Sequence, residues 1–164
     1  MPDELELIIR LIDRDKEGWE CADIMASTDP WITHGATREK TIRPVTSPHF
    51  ETYVAVANGE IAGVIILAIA VPLIRGYIAG LAIKPAWRNR GIGTRLIQFA
   101  EELILRDSPN VFLCVSSFNT DAQRLYARLG YERVGELKNY VINGASEFLL
   151  RKTTGPTSTF VKKD

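Results

Sequence analysis

Apolar and polar positions recur at strand and helix periods along most of the chain, and turn residues separate the runs. Leu5 to Ile12 is apolar and β-leaning and reads as a first strand. Asp13 or Asp15 can cap the next segment, in which Trp19, Ala22 and Met25 or Ala26 share a helical face. Ser27 to Pro30 is turn-like, a short helix is expected around Thr37 to Ile42, and an irregular connection follows. Thr52 to Ala57 reads as a strand and Asn58-Gly59 as a hairpin turn. Ile61 to Val71 is apolar on both faces, the pattern of a covered central strand. Pro72 stops it, Arg75-Gly76 turns the chain, and Tyr77 to Ile83 returns, with Gly80 marking a bulge or a splay.

Beyond a basic glycine turn, Leu96, Ala100 and Leu103 recur at helical spacing with Ile97 and Ile104 beside them. Val111 to Val115 reads as a buried strand. A helix follows with Ala122, Leu125, Tyr126 and Leu129 on one face and Gly130 as its stop. Thr120 to Gln123 has the form of a capping box. Strands are expected at Tyr131 to Tyr140 and Ser146 to Arg151, joined by a turn at Asn143-Gly144. The resulting order, β-α-α-β-β-β-α-β-α-β-β, is an α+β arrangement around one mixed sheet. It predicts a single domain over residues 1–152 and a flexible tail over 153–164, where Thr, Gly, Pro, Ser and Lys dominate.

Composition narrows the function classes. The 164 residues suit one domain, and 46% apolar with 24% charged residues is close to globular averages. Basic and acidic residues balance at 20 each, which argues against a general nucleic-acid binder or a basic membrane-surface protein. Ile61 to Ile74 is too short for a bilayer, and Pro2-Asp3-Glu4 is acidic where a secretory leader would be basic. Cys21 and Cys114 form no Cys-x-x-Cys unit, so no metal site and no disulfide framework is expected. The expected setting is cytoplasmic.

The chemistry concentrates in Tyr77 to Arg106. A strand passing through Arg88, Asn89, Arg90, Gly91, Ile92, Gly93 and Thr94 into a helix is a device for holding an anion. The first helical N–H groups have no intrahelical partner, the helix dipole favours negative charge there, and glycine lets the backbone approach. No Lys-Ser/Thr pair follows these glycines, and Gly91-Ile92-Gly93 lacks the third glycine of the dinucleotide fingerprint. What stands here is Arg-x-x-Gly-x-Gly directly after Leu-Ala-Ile-Lys-Pro, which resembles the acyl-coenzyme A pyrophosphate loop of the GNAT family of N-acetyltransferases. The run from Asn119 through Ala122, Leu125, Tyr126 and Gly130 to Tyr131 resembles that family's second signature, N-x-x-A-x-x-L-Y-x-x-x-G-F/Y. The resemblance covers roughly residues 5 to 152.

The resemblance implies a GNAT-type domain with a mostly antiparallel central sheet and helices on both faces. It implies acetyl-CoA as the acyl donor, with no metal, and an amine acceptor. The backbone of Leu81, Ala82 and Ile83 would bond the pantetheine arm as an added strand. The amides from Arg88 to Thr94 would cradle the pyrophosphate, and Asn119 would contact the cofactor arm. Tyr126 matches the tyrosine that protonates the departing thiolate. Tyr77 matches a base-type tyrosine of one branch of protein N-terminal acetyltransferases, whereas Cys114 occupies that branch's second position, usually His or Glu. Leu137-Lys138-Asn139-Tyr140 resembles the K-N-Y-Y segment of the same group, with Val141 replacing the second tyrosine. Trp31 and His34, in the irregular stretch before residue 50, are further candidates for acceptor contact. The expected activity is direct acetyl transfer to a protein or peptide N-terminus of the ribosomal-protein alanine type. The alternatives are a small amine (a polyamine, an amino acid or an antibiotic) and a non-catalytic acyl-CoA-binding module. Monomer and homodimer are both open.

Overall fold

The computed structural model describes residues 5–70 and 74–163. Val71 and Pro72, expected to end a strand, lie outside the described residues. Its elements are β1 (Leu7–Leu11), α1 (Arg14–Ala26), α2 (Arg38–Thr46), β2 (Glu51–Ala57), β3 (Glu60–Ala68) and β4 (Tyr77–Ile83). Then come α3 (Ile92–Asp107), β5 (Asn110–Ser116), α4 (Thr120–Arg128), β6 (Glu132–Lys138) and β7 (Ser146–Thr153). The order is the one the periodicities predict. The strands form one seven-stranded sheet, β1-β2-β3-β4-β5-β7-β6. Strands β4 and β5 pair in parallel, whereas β1 with β2, β2 with β3, β5 with β7 and β6 with β7 pair antiparallel. The α+β expectation therefore holds. Two compact units are distinguished, one of residues up to Leu67 with Gly80–Phe99, the other of Ala68–Ala79 with the residues from Ala100 onward.

In the first unit, Asp13 caps α1 by accepting from Lys16 N, and Glu17 reaches back to accept from Asp13 N at 2.8 Å. The buried stripe of α1 is Gly18, Cys21, Ala22, Ile24 and Met25, whereas Trp19 is 50% exposed with the Arg38 guanidinium over its ring. The face expected from Trp19 is thus rotated by one residue. A Cβ on Gly18 would lie 2.6 Å from Thr46 Cγ2, so the glycine is a contact position of the α1–α2 pair. Helix α2 runs four residues beyond the expected end, through Pro44 to Thr46. Only two residues follow the proline, and Thr46 Oγ1 donates to Ile42 O at 2.8 Å, closing the last turn. Asn58 and Gly59, both at positive φ (48° and 84°), make the β2–β3 hairpin turn, and every residue of β3 after Glu60 is buried, as its two-faced apolar pattern requires.

Gly80 is neither paired in the β4–β5 register nor marked by a bulge there. A Cβ at Gly80 would come within 3.0 Å of Met25 Cε and 3.2 Å of Trp31 Cζ2, so its smallness accommodates those side chains.

In the second unit, β5 and β7 pair along their length, from Asn110↔Thr153 to Ser116↔Glu147. Helix α4 is capped by Asn119, whose Oδ1 accepts from Ala122 N at 3.3 Å, one residue before the Thr120 expected for a capping box. Gln123 instead donates its amide to the carbonyls of Ser116 and Ser117, at 3.0 and 3.1 Å. Strand β6 stops at Lys138 because Asn139 turns to φ 52°. Beyond β7, Thr154 N donates to Pro109 O and Lys163 N to Arg106 O, and Lys162 pairs with Asp107 at 2.6 Å.

Candidate active site

The expected site residues divide between the units. In the first, β4 delivers the chain through Lys84 into a 3-10 turn, Pro85–Trp87, and then into α3. Asn89 and Gly91 take positive φ, 59° and 76°, which bends the loop back onto the helix start. Arg95 N donates to Gly91 O at 3.0 Å. Among the described residues, no protein carbonyl or side chain accepts from the backbone amides of Asn89 to Thr94. These unmet donors sit at the N-terminus of a sixteen-residue helix that has no acidic side chain in its first turn. Arg90 stacks on Trp87, 4.9 Å from the ring centroid, and Trp87 Nε1 donates to Glu60 Oε1 at 2.6 Å. Arg88 Nε bonds Ile83 O at 3.3 Å, and Arg95 is exposed. A basic loop with open amides and no Cβ at positions 91 and 93 fits a diphosphate.

Trp31 and His34 meet edge to face, their centroids 6.4 Å apart, and Trp31 also packs at Gly80. The Trp31 Nε1 is buried without a hydrogen-bond partner. A groove of about 630 Å³ is lined by Glu20, Asp23, Arg38, Glu39 and Lys84 among others. Lys84 approaches Glu20 at 3.4 Å and Arg38 approaches Asp23 at 3.0 Å, so two of its carboxylates are offset by cations.

In the second unit, Tyr126 is 7% exposed and lies edge to face with Tyr131, centroids 5.6 Å apart. Burial pushes its hydroxyl up to about 12, so it stays protonated at neutral pH. Asn119 spends its carbonyl oxygen on the α4 cap, which leaves its NH₂ as the group to offer a ligand. Tyr77, at the start of β4, shares a side-chain hydrogen bond with Cys114. Burial, that hydrogen bond and the nearby Cys114, Tyr140 and Glu147 all push Tyr77 upward, which disfavours a phenolate base. Burial likewise raises Cys114. Tyr140 lies past the end of β6 and is 67% exposed.

One polar residue of this unit is missed by inspecting β4 and β5 alone. Glu147, on β7, is 6% exposed and accepts from Ser116 Oγ at 2.7 Å. The sequence signal is a lone carboxylate directly before the apolar run Phe148 to Leu150. Among the described residues, no group of His, Cys, Asp and Glu is arranged to hold a metal, and both cysteines are free. No helix of the described residues is long and apolar enough to cross a membrane.

The model of the acetyltransferase (GNAT) family matches residues 12–131. The N-alpha-acetyltransferase RimI of Mycobacterium tuberculosis is 29% identical over 140 residues, 84% of each chain. The ribosomal-protein-S18-alanine N-acetyltransferase of Escherichia coli superposes with a TM-score of 0.73 at 15% identity, over 95% of this chain and all of that one. An aminoglycoside 6'-N-acetyltransferase solved with coenzyme A gives a TM-score of 0.71 at 20% identity, over 91% of this chain and 98% of that one. The match over most of the chain, on both signatures read from its residues, makes this protein a member of the GNAT acetyltransferase family, an acyltransferase.

Proposed function

We propose that the protein transfers an acetyl group from acetyl-CoA directly to the α-amine of a protein or peptide N-terminus. The observation that carries the donor half is the run of open amides from Asn89 to Thr94 at the start of α3. These amides, with Arg88 and Arg90, take the diphosphate, and the backbone of Leu81, Ala82 and Ile83 takes the pantetheine arm. These β4 residues lie beyond the two positions, Tyr77 and Ile78, that enter the register with β5. Bound acetyl-CoA supplies an activated acyl carbon and a thiol leaving group. Asn119 donates its NH₂ toward the arm, and Tyr126, held protonated by burial, gives its proton to the departing sulfur. Tyr77 acts as a hydroxyl that hands protons on, since it is held neutral.

The α-amine half rests on the similarity to RimI over 84% of both chains and on Lys138-Asn139-Tyr140. Exposed Tyr140, with Trp31 and His34, is assigned to the acceptor peptide. The small-amine alternative is favoured by Glu20, Asp23 and Glu39 in the groove, but the cations on Glu20 and Asp23 weaken its pull on a polycation. The test is a peptide bearing both a free N-terminus and an internal lysine, incubated with acetyl-CoA and sequenced by mass spectrometry. Acetyl on the α-nitrogen supports the assignment. Acetyl on the lysine alone overturns it.

A further inference from the structure

An α-ammonium must lose a proton before it can attack, and neither β4 nor β5 offers a competent base. Tyr77 is held neutral and Cys114 is a raised thiol. The β5–β7 register supplies what those strands lack. Ser116 stands opposite Glu147, and Phe112, Cys114 and Ser116 share one face of β5 by the strand period. Tyr77 pairs with Phe112 and shares a hydrogen bond with Cys114, so Tyr77, Cys114, Ser116 and Glu147 form a polar stripe across three strands. Burying a carboxylate at 6% exposure costs several kcal/mol in solvation, roughly, unless something is gained by it.

We propose that Glu147 is the group that accepts the acceptor amine's proton, a carboxylate on β7 standing in for the base missing at position 114. This rests on the acetyltransferase function proposed above. The ammonium N–H bond breaks and its proton goes to the Glu147 carboxylate. The freed lone pair forms the C–N bond, the thioester C–S bond breaks, and the leaving sulfur takes its proton from Tyr126. The proton that nitrogen sheds on amide formation restores Tyr126, and Glu147 returns its own to water. The ionisable groups on the face of Glu147 are Tyr77 from β4, Cys114 from β5 and Arg151 two pairs along β7, and Tyr140, from the turn after β6, acts on the same Tyr77. The position opposite it on β6 is Leu137.

The test is Glu147→Gln, with Glu147→Asp beside it, followed by the pH dependence of acetyl transfer to an α-amino peptide. In E147Q, kcat at neutral pH falls by roughly 10²-fold or more. The acid limb of kcat/KM rises to the acceptor's own ammonium range, about 7.7–8.0. Coenzyme A affinity is kept, and E147D recovers part of the rate with the wild-type acid limb. If E147Q does not fold, E147D carries the test, and an unchanged kcat in it overturns the proposal. A second readout needs no turnover: alkylation of Cys114, followed by peptide mapping, shifts its midpoint to lower pH in E147Q, because a nearby negative charge is gone. An unmoved Cys114 midpoint overturns the placement of the charge. Wild-type turnover with an E147Q of unchanged rate and pH profile overturns the Glu147 role alone. A wild-type protein that acetylates no amine overturns the proposed function and this role with it.

Discussion

Replacing Gly91 by alanine separates the backbone role of the glycine loop from its role in holding the diphosphate. Gly91 has φ 76°, and a Cβ built there meets nothing within 4 Å. The protein itself therefore feels only the conformational penalty of a left-handed residue, roughly 1–2 kcal/mol. Gly59 in the β2–β3 hairpin is a matched control, with φ 84° and equally open space. Both variants should lose the same stability, a fall in Tm of roughly 2–8 °C for a domain of this size. They should differ toward the cofactor. In Gly91→Ala the added methyl group should crowd a diphosphate held on these amides and cost one charge-assisted hydrogen bond, about 1.5–3 kcal/mol. That is a loss in coenzyme A affinity of about tenfold to a hundredfold. Calorimetric titration with coenzyme A, run on both variants and the wild type, reads this directly. Equal affinity in all of them, with the expected Tm losses present, would refute the cradle.

Tyr126→Phe should lower kcat by about 10²-fold or more at unchanged coenzyme A affinity, in the usual range for general-acid catalysis; an unchanged kcat removes Tyr126 from the reaction. Because burial holds the Tyr126 hydroxyl near 12, any alkaline fall in rate below pH 10 should survive in that variant's residual activity. Gly76→Ala combines a left-handed φ of 84° with a Cβ 2.6 Å from Asn110 O and in collision with Ile104 Cγ2. Strain and overpacking together should cost about 2–5 kcal/mol in denaturant unfolding, and a loss under 1 kcal/mol would show that β4 starts differently. Glu17 is held below the ordinary carboxylate range by its hydrogen bonds from Arg10 and then by Asp13 N. Its folded value is depressed, so its contribution is full above the unfolded carboxylate range and disappears as pH falls through the folded value. Glu17→Gln should therefore lower Tm at pH 7 and match wild type in strong acid; a deficit that persists in acid would contradict the ion pair.

The element order could be read from the chain because each local signal agrees with the fold. Asn58-Gly59 dictates a hairpin, the two-faced apolar run dictates a buried β3, and the glycine turn sits between a strand period and a helix period. Failures came where a residue's class hides its role. Trp19 looks like a core anchor, but the core position beside it belongs to Gly18, whose missing side chain brings α2 close. The helix expected to end at Ile42 continues through Pro44 to Thr46, whose hydroxyl closes the last turn on Ile42 O. Asn119 caps α4 in place of Thr120, because the turn that follows β5, closed by Asn119 N on Ser116 O at 2.9 Å, starts the helix one residue earlier. The loop proposed to hold the cofactor could be picked out because its donors are backbone groups in one contiguous stretch. Glu147 was not, because its neighbours Ser116, Cys114 and Tyr77 come from other strands and only a register unites them.

The most direct test of direct α-amine acetylation is free-thiol release from acetyl-CoA by the purified protein, with two acceptor sets run in parallel. One set holds short peptides with varied free N-termini, and the other holds polyamines, amino acids and aminoglycosides. Thiol release that depends on a free peptide N-terminus and is lost on blocking it is the predicted result. Release with the small amines and none with the peptides would contradict it.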